Sequence, residues 1–219
     1  MNPAALQRLG IFGGTFDPIH LGHLVIAEEA RTSLDLDGVL LIPARVSPFK
    51  LGLATACAED RLRMVELAIA DNPAFQASRL EIEREGPSYT VDTLRQLRAL
   101  YGPRTELFLL MGTDSLATIA SWHQAQDLVK LAWIVAYTRP GVPLDLEELD
   151  RQVPGLAAVT RLLDAVKLDI SSTDIRSRVR AERTIRYLVP PTVEAYIHQH
   201  GLYLAEGTEA QPAPSHTCS

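Results

Sequence analysis

The chain has 219 residues, 47% hydrophobic and 22% charged, so it can bury a core and is not a disordered protein. Twenty-one basic and 27 acidic residues give a formal net charge of −6, which excludes a global positive field for nucleic acid or anionic lipid. No apolar stretch reaches the roughly 20 residues of a membrane helix. We therefore expect a cytoplasmic protein that binds neither nucleic acid nor membrane.

Short apolar runs alternate with amphipathic segments along the chain. The runs predict buried strands over residues 9–12, 39–43, 75–77, 107–111, 133–137 and 166–168. The segments between them predict helices over residues 21–34, 58–71, 90–101, 172–181 and 192–200, the last of which is started by a pair of prolines. This alternation favours an α/β fold with a mostly parallel sheet. We expect one domain over residues 5–204 and a disordered tail over residues 205–219.

The first predicted strand runs into the most informative segment, GGTFDPIHLGH. Gly13 and Gly14 have no Cβ, so their backbone can approach a bound group closely. The helix that follows turns its positive end toward an anion. His20 and His23 are three residues apart, so both can face one ligand at the helix start and donate to phosphate oxygens. The alternative interpretations are a plain glycine turn, two surface histidines or a metal-binding pair.

A second pattern of strand, turn and helix occurs late in the chain, in the segment KLDISSTDIRSR. Three successive hydroxyls, on Ser171, Ser172 and Thr173, can cradle a polyphosphate. The Arg176 guanidinium suits phosphate oxygens. The spacing from Ser171 to Asp174 also fits a capping box, so a well-capped helix is the alternative. Two phosphate-type turns in a chain of negative net charge favour a triphosphate substrate.

Further segments are uninformative when taken singly. Lys50, in the loop after the second predicted strand, is either a third phosphate ligand or an exposed loop lysine. GPSYTVDTL places a turn before a helix, MGTDS follows an apolar strand, and a Trp-His pair comes a few residues later. Their order along the chain carries more information than any one of them.

Together these segments resemble the motifs of bacterial nicotinate-nucleotide adenylyltransferases, in the nucleotidyltransferase superfamily. HLGH is similar to the T/HxGH signature, and ISSTDIR is similar to the ISSTxIR motif. The SYTxDTL, GxDS and tryptophan elements follow the same order in both, and the resemblance covers residues 9–204. The family usually has Pro-His-Lys where this chain has Pro48, Phe49 and Lys50, so no role of that histidine is carried over.

The resemblance implies a Rossmann-like single domain, an open, mostly parallel sheet with helices on both faces. It implies transfer of the adenylyl group of ATP to nicotinate mononucleotide, with Mg²⁺ carried on the ATP and no protein metal site, and it allows a homo-oligomer. The implied catalytic residues are His20, His23, Lys50 and Arg176. The implied ATP-binding residues are Gly13, Gly14, Thr15, Phe16, His20, His23, Gly112, Asp114, Ser171, Ser172, Thr173, Ile175 and Arg176. The implied acceptor-binding residues are Ser88, Tyr89, Thr90, Trp122 and His123.

Two other functions remain open at this stage. One is a sister transferase that uses phosphopantetheine or a CTP-linked acceptor, which the segments around Thr90 and Trp122 disfavour. The other is a nucleotide-binding module without catalysis, which the presence of both His20 and His23 disfavours. No cysteine or serine in the motifs has a base beside it, so a covalent route is not expected.

Overall fold

Strands and helices alternate along the chain in the structure, a computed structural model that describes residues 7–46, 56–138, 144–164, 166 and 168–204. The strands are β1 (Arg8–Gly14), β2 (Gly38–Pro43), β3 (Phe75–Ala77), β4 (Glu106–Gly112), β5 (Trp133–Tyr137) and β6 (Thr160–Leu163). The helices are α1 (Leu21–Ser33), α2 (Ala58–Ala68), α3 (Thr90–Tyr101), α4 (Thr113–Leu116), α5 (Ala125–Leu131), α6 (Leu146–Gln152), α7 (Leu156–Val159), α8 (Ser172–Arg180) and α9 (Pro191–Gln199). A 3₁₀ helix, Ile119–Ser121, lies between α4 and α5.

The six strands form one sheet in the order β3-β2-β1-β4-β5-β6, and each neighbouring pair is parallel. Gly10 of β1 is paired with Val39 of β2 on one side and with Phe108 of β4 on the other. The order of strands therefore reverses between β1 and β4. In open sheets of this kind, ligands bind beyond the carboxyl ends of the strands at such a reversal.

The sheet is buried on both faces, as its nearly continuous apolar strands require. In β2, Val39 and Leu41 face a core cluster that includes residues of α1, α2, α8 and α9. Leu40 and Ile42 face a second cluster that includes residues of α3, α5, α6 and α7. The prediction of a Rossmann-like sheet with helices on both faces is confirmed.

The sixth predicted strand, over residues 166–168, is wrong at Val166 and Leu168, which lie in no strand, and residue 167 lies outside the described residues. The strand that pairs with β5 is β6, which comes before residue 166 in the chain. Val166 and Leu168 are 57% and 42% exposed. An edge strand covered on one face needs few apolar positions, so the TRLL run of β6 does not stand out as buried strand.

The other helix predictions agree with the structure to within a few residues, and Pro190 precedes α9 as expected. No helix among the described residues is long and apolar enough to cross a membrane. Residues 205–219 lie outside the described residues, so the tail stays a prediction.

Candidate active site

The first phosphate-type turn lies where β1 ends. Gly13 is exposed, and no atom lies within 4 Å of the place a Cβ would take there. A Cβ on Gly14 would come within 3.1 Å of the Phe16 ring. Phe16 itself is buried and has a φ of 48°, in the left-handed region that non-glycine residues seldom adopt. The turn therefore leaves the Gly13 backbone open while the Phe16 ring fills the space behind Gly14.

The two predicted histidines lie together at the start of α1. His20 is the N-cap residue, and its ring stacks on that of His23 with centroids 3.6 Å apart. The His20 N–H donates to His23 Nδ1 at 3.2 Å. In a neutral imidazole this leaves the proton on Nε2. The Phe16 ring meets His23 edge-on at 5.1 Å and limits the tilt of its imidazole.

Gly22→Ala is expected to lower kcat about tenfold while leaving the fold intact, since small misplacements of reacting groups are costly. A Cβ at this position would lie 3.1 Å from His20 Nδ1 and 3.2 Å from His20 Cε1, so the imidazole must shift by a few tenths of an ångström. Alanine also favours the helix over glycine by about 1 kcal/mol, which offsets the crowding in the free energy of unfolding. Ser33→Ala, an exposed change on the same helix, is the control for helix propensity. Unchanged kcat with a shifted melting temperature would contradict this role for Gly22.

The second phosphate-type turn lies against the first. Ser172 Oγ donates to the Pro18 carbonyl at 2.9 Å, across a sequence separation of 154 residues. Arg176 Nη1 donates to the Asp17 carbonyl at 2.7 Å. The structure therefore brings the two turns that the sequence singles out to the same end of the sheet.

Two hydroxyls of the second turn, those of Ser171 and Ser172, make hydrogen bonds that hold the turn, and that of Thr173 is on an exposed residue. Ser171 Oγ accepts from the Asp174 N–H at 3.1 Å, so the helix-capping alternative is confirmed for this residue. Thr173 is exposed, and its Oγ1 accepts from Arg176 Nη2 at 3.4 Å. Ile175 is fully buried in the core. The Ile175 side chain therefore packs behind the turn, and its role in ATP binding stays a prediction.

The predicted acceptor residues also come together. The rings of Tyr89 and His123 stack with centroids 4.3 Å apart. Ser88 Oγ accepts from the Arg45 N–H at 3.1 Å, and the Ser88 N–H donates to the Val46 carbonyl at 3.0 Å. The start of α3 is thereby joined to the segment that follows β2. Trp122 is partly buried beside the second core cluster.

A buried carboxylate supports this acceptor region, and the sequence analysis missed it. Glu81 is buried, and its Oε1 accepts from Thr93 Oγ1 at 2.6 Å. Burial raises the pKa of Glu81 above its ordinary value, against the lowering effect of hydrogen bonds from Thr93 and Ser88 and of the Arg84 charge. The surrounding sequence, EIEREG, is typical of an exposed charged turn, so no signal in it marks Glu81 as buried.

Glu81→Gln is expected to raise the melting temperature at pH 8 and to change it little near pH 4. A carboxyl whose folded pKa is raised contributes stability below its unfolded pKa, about 4.3, and that contribution is lost as the pH rises through the folded pKa. Glutamine keeps an acceptor for Thr93 without the buried charge. Glu83→Gln, at an exposed residue paired with Arg79, is the control and should show no gain that grows with pH. A constant difference between wild type and Glu81→Gln from pH 4 to pH 8 would contradict this assignment.

The remaining predicted ligands lie at the end of β4 or outside the described residues. Gly112 is the N-cap residue of α4, and Asp114 is exposed in the first turn of that helix. Lys50 falls within residues 47–55, so its role stays a prediction. Among the residues that the structure describes, no group of three or more His, Cys, Asp or Glu side chains could hold a metal ion.

Comparison with known proteins identifies the class to which this fold and site belong. The sequence model of the cytidylyltransferase-like family matches residues 11–178, so the class is that of the cytidylyltransferase-like nucleotidyltransferases. A protein of Herpetosiphon aurantiacus named "Probable nicotinate-nucleotide adenylyltransferase" is 49% identical over 91% of this chain and its own whole length. A protein of the same name from Dehalococcoides mccartyi is 44% identical over 90% of this chain and 97% of its own.

A solved structure has the same fold. The Plasmodium falciparum nicotinic acid mononucleotide adenylyltransferase complexed with NaAD superimposes with a TM-score of 0.73 at 21% identity, over 90% of this chain and 97% of its own. The chain belongs to the nicotinate-nucleotide adenylyltransferase family, as its motifs indicated.

Proposed function

We propose that this enzyme transfers the adenylyl group of ATP to nicotinate mononucleotide, giving nicotinate adenine dinucleotide and pyrophosphate. The observation that carries the proposal is the meeting of the two phosphate-type turns beside the end of β1, through the Ser172–Pro18 and Arg176–Asp17 contacts. The names of the relatives and the ligand of the Plasmodium structure support the choice of substrates. The reaction belongs to the biosynthesis of NAD.

The chemistry needs no protein nucleophile. An oxygen of the acceptor phosphate attacks the α-phosphorus of ATP in line, the new P–O bond forms, and the bond to the β-phosphate oxygen breaks. His20 and His23 stand at the positive end of α1, where negative charge on the phosphates is favoured. His23 Nε2–H donates to an oxygen as its charge builds up, and the Arg176 guanidinium neutralises the departing pyrophosphate. Catalysis is therefore positioning together with electrostatic stabilisation.

The magnesium ion arrives as part of the ATP substrate. Mg²⁺ keeps several waters and binds nucleotide phosphates with few protein ligands. Asp114 and Thr173 are both exposed polar residues. We assign the adenosine ribose to Gly112 and Asp114 and the polyphosphate to the turn that begins at Ser171.

The acceptor ring lies between the start of α3 and the segment after the 3₁₀ helix. Trp122 borders the nicotinate ring, and the backbone N–H groups of Thr90 and His123 bind its carboxylate. The N–H groups of Tyr89 and Trp122 already donate to the Pro87 and Ile119 carbonyls, each at 3.0 Å. Arg84 is a basic side chain that contacts this segment through the Tyr89 carbonyl, at 3.4 Å. It also donates to Thr93 Oγ1 at 3.0 Å and lies beside Glu81. Its charge is therefore directed to the buried carboxylate rather than to a ligand.

An acceptor screen tests the proposed function. The purified chain is incubated with ATP and Mg²⁺ alone, or with nicotinate mononucleotide, nicotinamide mononucleotide or phosphopantetheine, and the pyrophosphate released is measured. We expect release with nicotinate mononucleotide and none with ATP alone. Pyrophosphate release with phosphopantetheine, and none with nicotinate mononucleotide, would show that the chain has the activity of the sister transferase instead. Binding of ATP without release under any condition would indicate a nucleotide-binding module.

A further inference from the structure

Three polar side chains from distant parts of the chain are buried together behind the phosphate-type turns. Asp17 lies between β1 and α1, Arg61 on α2, and Tyr203 in the segment after α9. They are 3%, 2% and 7% exposed. Ionised side chains are seldom buried to this degree unless they are paired, so this cluster of Asp17, Arg61 and Tyr203 has to be satisfied internally.

Arg61 ties the loop after β1 to the segment after β2. Its Nη1 donates to the carbonyls of Thr15 and Ala44, each at 2.7 Å. Two more carbonyls, those of Arg45 and Ala56, accept from Nη2 and Nε at 3.2 Å. Burial lowers the pKa of Arg61, and the charge of Asp17 opposes that effect. The guanidinium thus fixes the backbone after Gly14 against the segment that follows β2.

Asp17 is held on one oxygen and turned toward Arg176 with the other. Oδ1 accepts from the Tyr203 hydroxyl at 2.7 Å and from the Ala56 N–H at 3.3 Å. Oδ2 lies 3.8 Å from Arg176 Nη1, the same atom that donates to the Asp17 carbonyl. Arg176 is therefore held by both the backbone and the carboxylate of Asp17.

Tyr203 is the part of the cluster contributed by the C-terminal end of the described domain. Its hydroxyl reaches Asp17 across 186 residues of sequence. Burial, followed by the charge of Asp17, raises the pKa of Tyr203 above its ordinary value, so the hydroxyl stays a donor. This hydrogen bond ties the rotation of the Asp17 carboxylate to the C-terminal segment.

We infer that the Asp17, Arg61 and Tyr203 cluster is a positioning device that holds Arg176 and the first phosphate turn in the reactive arrangement, so the C-terminal segment contributes to the rate of adenylyl transfer. These residues act through Arg176 and touch no substrate. The inference rests on the proposed function and adds residues to its catalytic apparatus.

Tyr203→Phe tests the inference, because it removes one hydroxyl and keeps the ring that packs in the core. We expect kcat to fall about tenfold, with the KM for nicotinate mononucleotide changed less than about twofold. Asp17→Asn should lower kcat at least as much, since an amide N–H₂ then competes for the position facing Arg176. Tyr196→Phe is the matched control: it breaks a hydrogen bond from a tyrosine to Asp60 Oδ1, at 2.9 Å, that involves neither turn nor Asp17. It should lower the melting temperature and leave kcat unchanged.

A double-mutant cycle separates positioning from general loss of structure. If Tyr203 acts through Arg176, Tyr203→Phe costs tenfold in the wild-type background and almost nothing in the Arg176→Ala background. Equal losses in both backgrounds, or a wild-type kcat in Tyr203→Phe, would overturn the inference.

Hydrogen exchange gives a readout that does not depend on activity. Tyr203→Phe should speed exchange of the amides in residues 15–20 about tenfold, and Tyr196→Phe should leave them unchanged. Equal exchange of these amides in wild type and Tyr203→Phe would overturn the inference even in an active enzyme. Failure of wild type to turn over any acceptor would instead count against the proposed function. The exchange data would still show whether the cluster holds the first phosphate turn.

Discussion

Replacing His23 with alanine is expected to reduce kcat by about 10²–10³-fold, the usual cost of removing one preorganised donor to a transition state. His20→Ala should have an effect of similar size. KM should change less, because the contact tightens only as charge builds on the phosphates. The two rings stack at the positive end of α1, so loss of either ring also removes a contact that orients the other. Steady-state kinetics of folded variants, with ATP and acceptor varied separately, provide the measurement.

His198→Ala is the matched control for the histidine variants, because His198 is exposed on α9. It should leave both kinetic constants unchanged. An unchanged kcat in folded His23→Ala would mean that the pair is structural. If both variants lost activity together with bound zinc, measured by elemental analysis, the metal-binding alternative would be correct.

Trp122→Ala is expected to raise KM for nicotinate and nicotinamide mononucleotide alike and to leave the preference between them. Stacking of a base-like ring on an aromatic side chain is worth roughly 1–3 kcal/mol, which corresponds to about 5- to 150-fold in KM. We expect wild type to prefer the nicotinate acceptor because the backbone N–H groups of Thr90 and His123 favour its carboxylate. The carboxamide of the other acceptor would instead point its N–H₂ donor at these backbone N–H donors. The ratio of kcat/KM for the two acceptors, in both proteins, provides the measurement.

Trp133→Ala is the control for loss of an indole, since Trp133 lies at the start of β5, at the amino-terminal edge of the sheet. It should lower stability and leave KM unchanged. Equal use of both acceptors by wild type would contradict the backbone assignment. So would Arg84→Gln if it abolished the preference, because a side chain would then be the source of the selectivity.

The motifs could be predicted because their constraints are local. Each motif depends on neighbours only a few residues away. Examples are a glycine pair after a strand, a histidine at a helix N-cap, and a hydroxyl that accepts from an N–H three residues later. The parallel sheet followed from strand–helix alternation. The edge strand β6 did not, because one buried face leaves a weak apolar pattern.

Residues that act across the fold could not be found in the same way. Arg61 sits among apolar positions of α2, where an arginine ordinarily indicates the solvent side, yet it is buried against four carbonyls. Tyr203 follows the last helix, where the sequence indicates only the end of the domain, yet its hydroxyl donates to Asp17. Such partners depend on tertiary contacts between segments that no sequence period relates. Ile175, in contrast, is an apolar position of a helix, so its burial in the core follows from the local sequence.

The stereochemical course of the reaction tests most directly whether the site holds two substrates for a single in-line transfer. The enzyme is given nicotinate mononucleotide and ATP whose α-phosphorus is chiral through one sulfur, and the configuration at that phosphorus in the dinucleotide product is determined. One direct displacement between bound substrates predicts inversion. Retention would require two displacements, with the adenylyl group carried on the protein in between, and would contradict a site built only to position phosphates and stabilise charge.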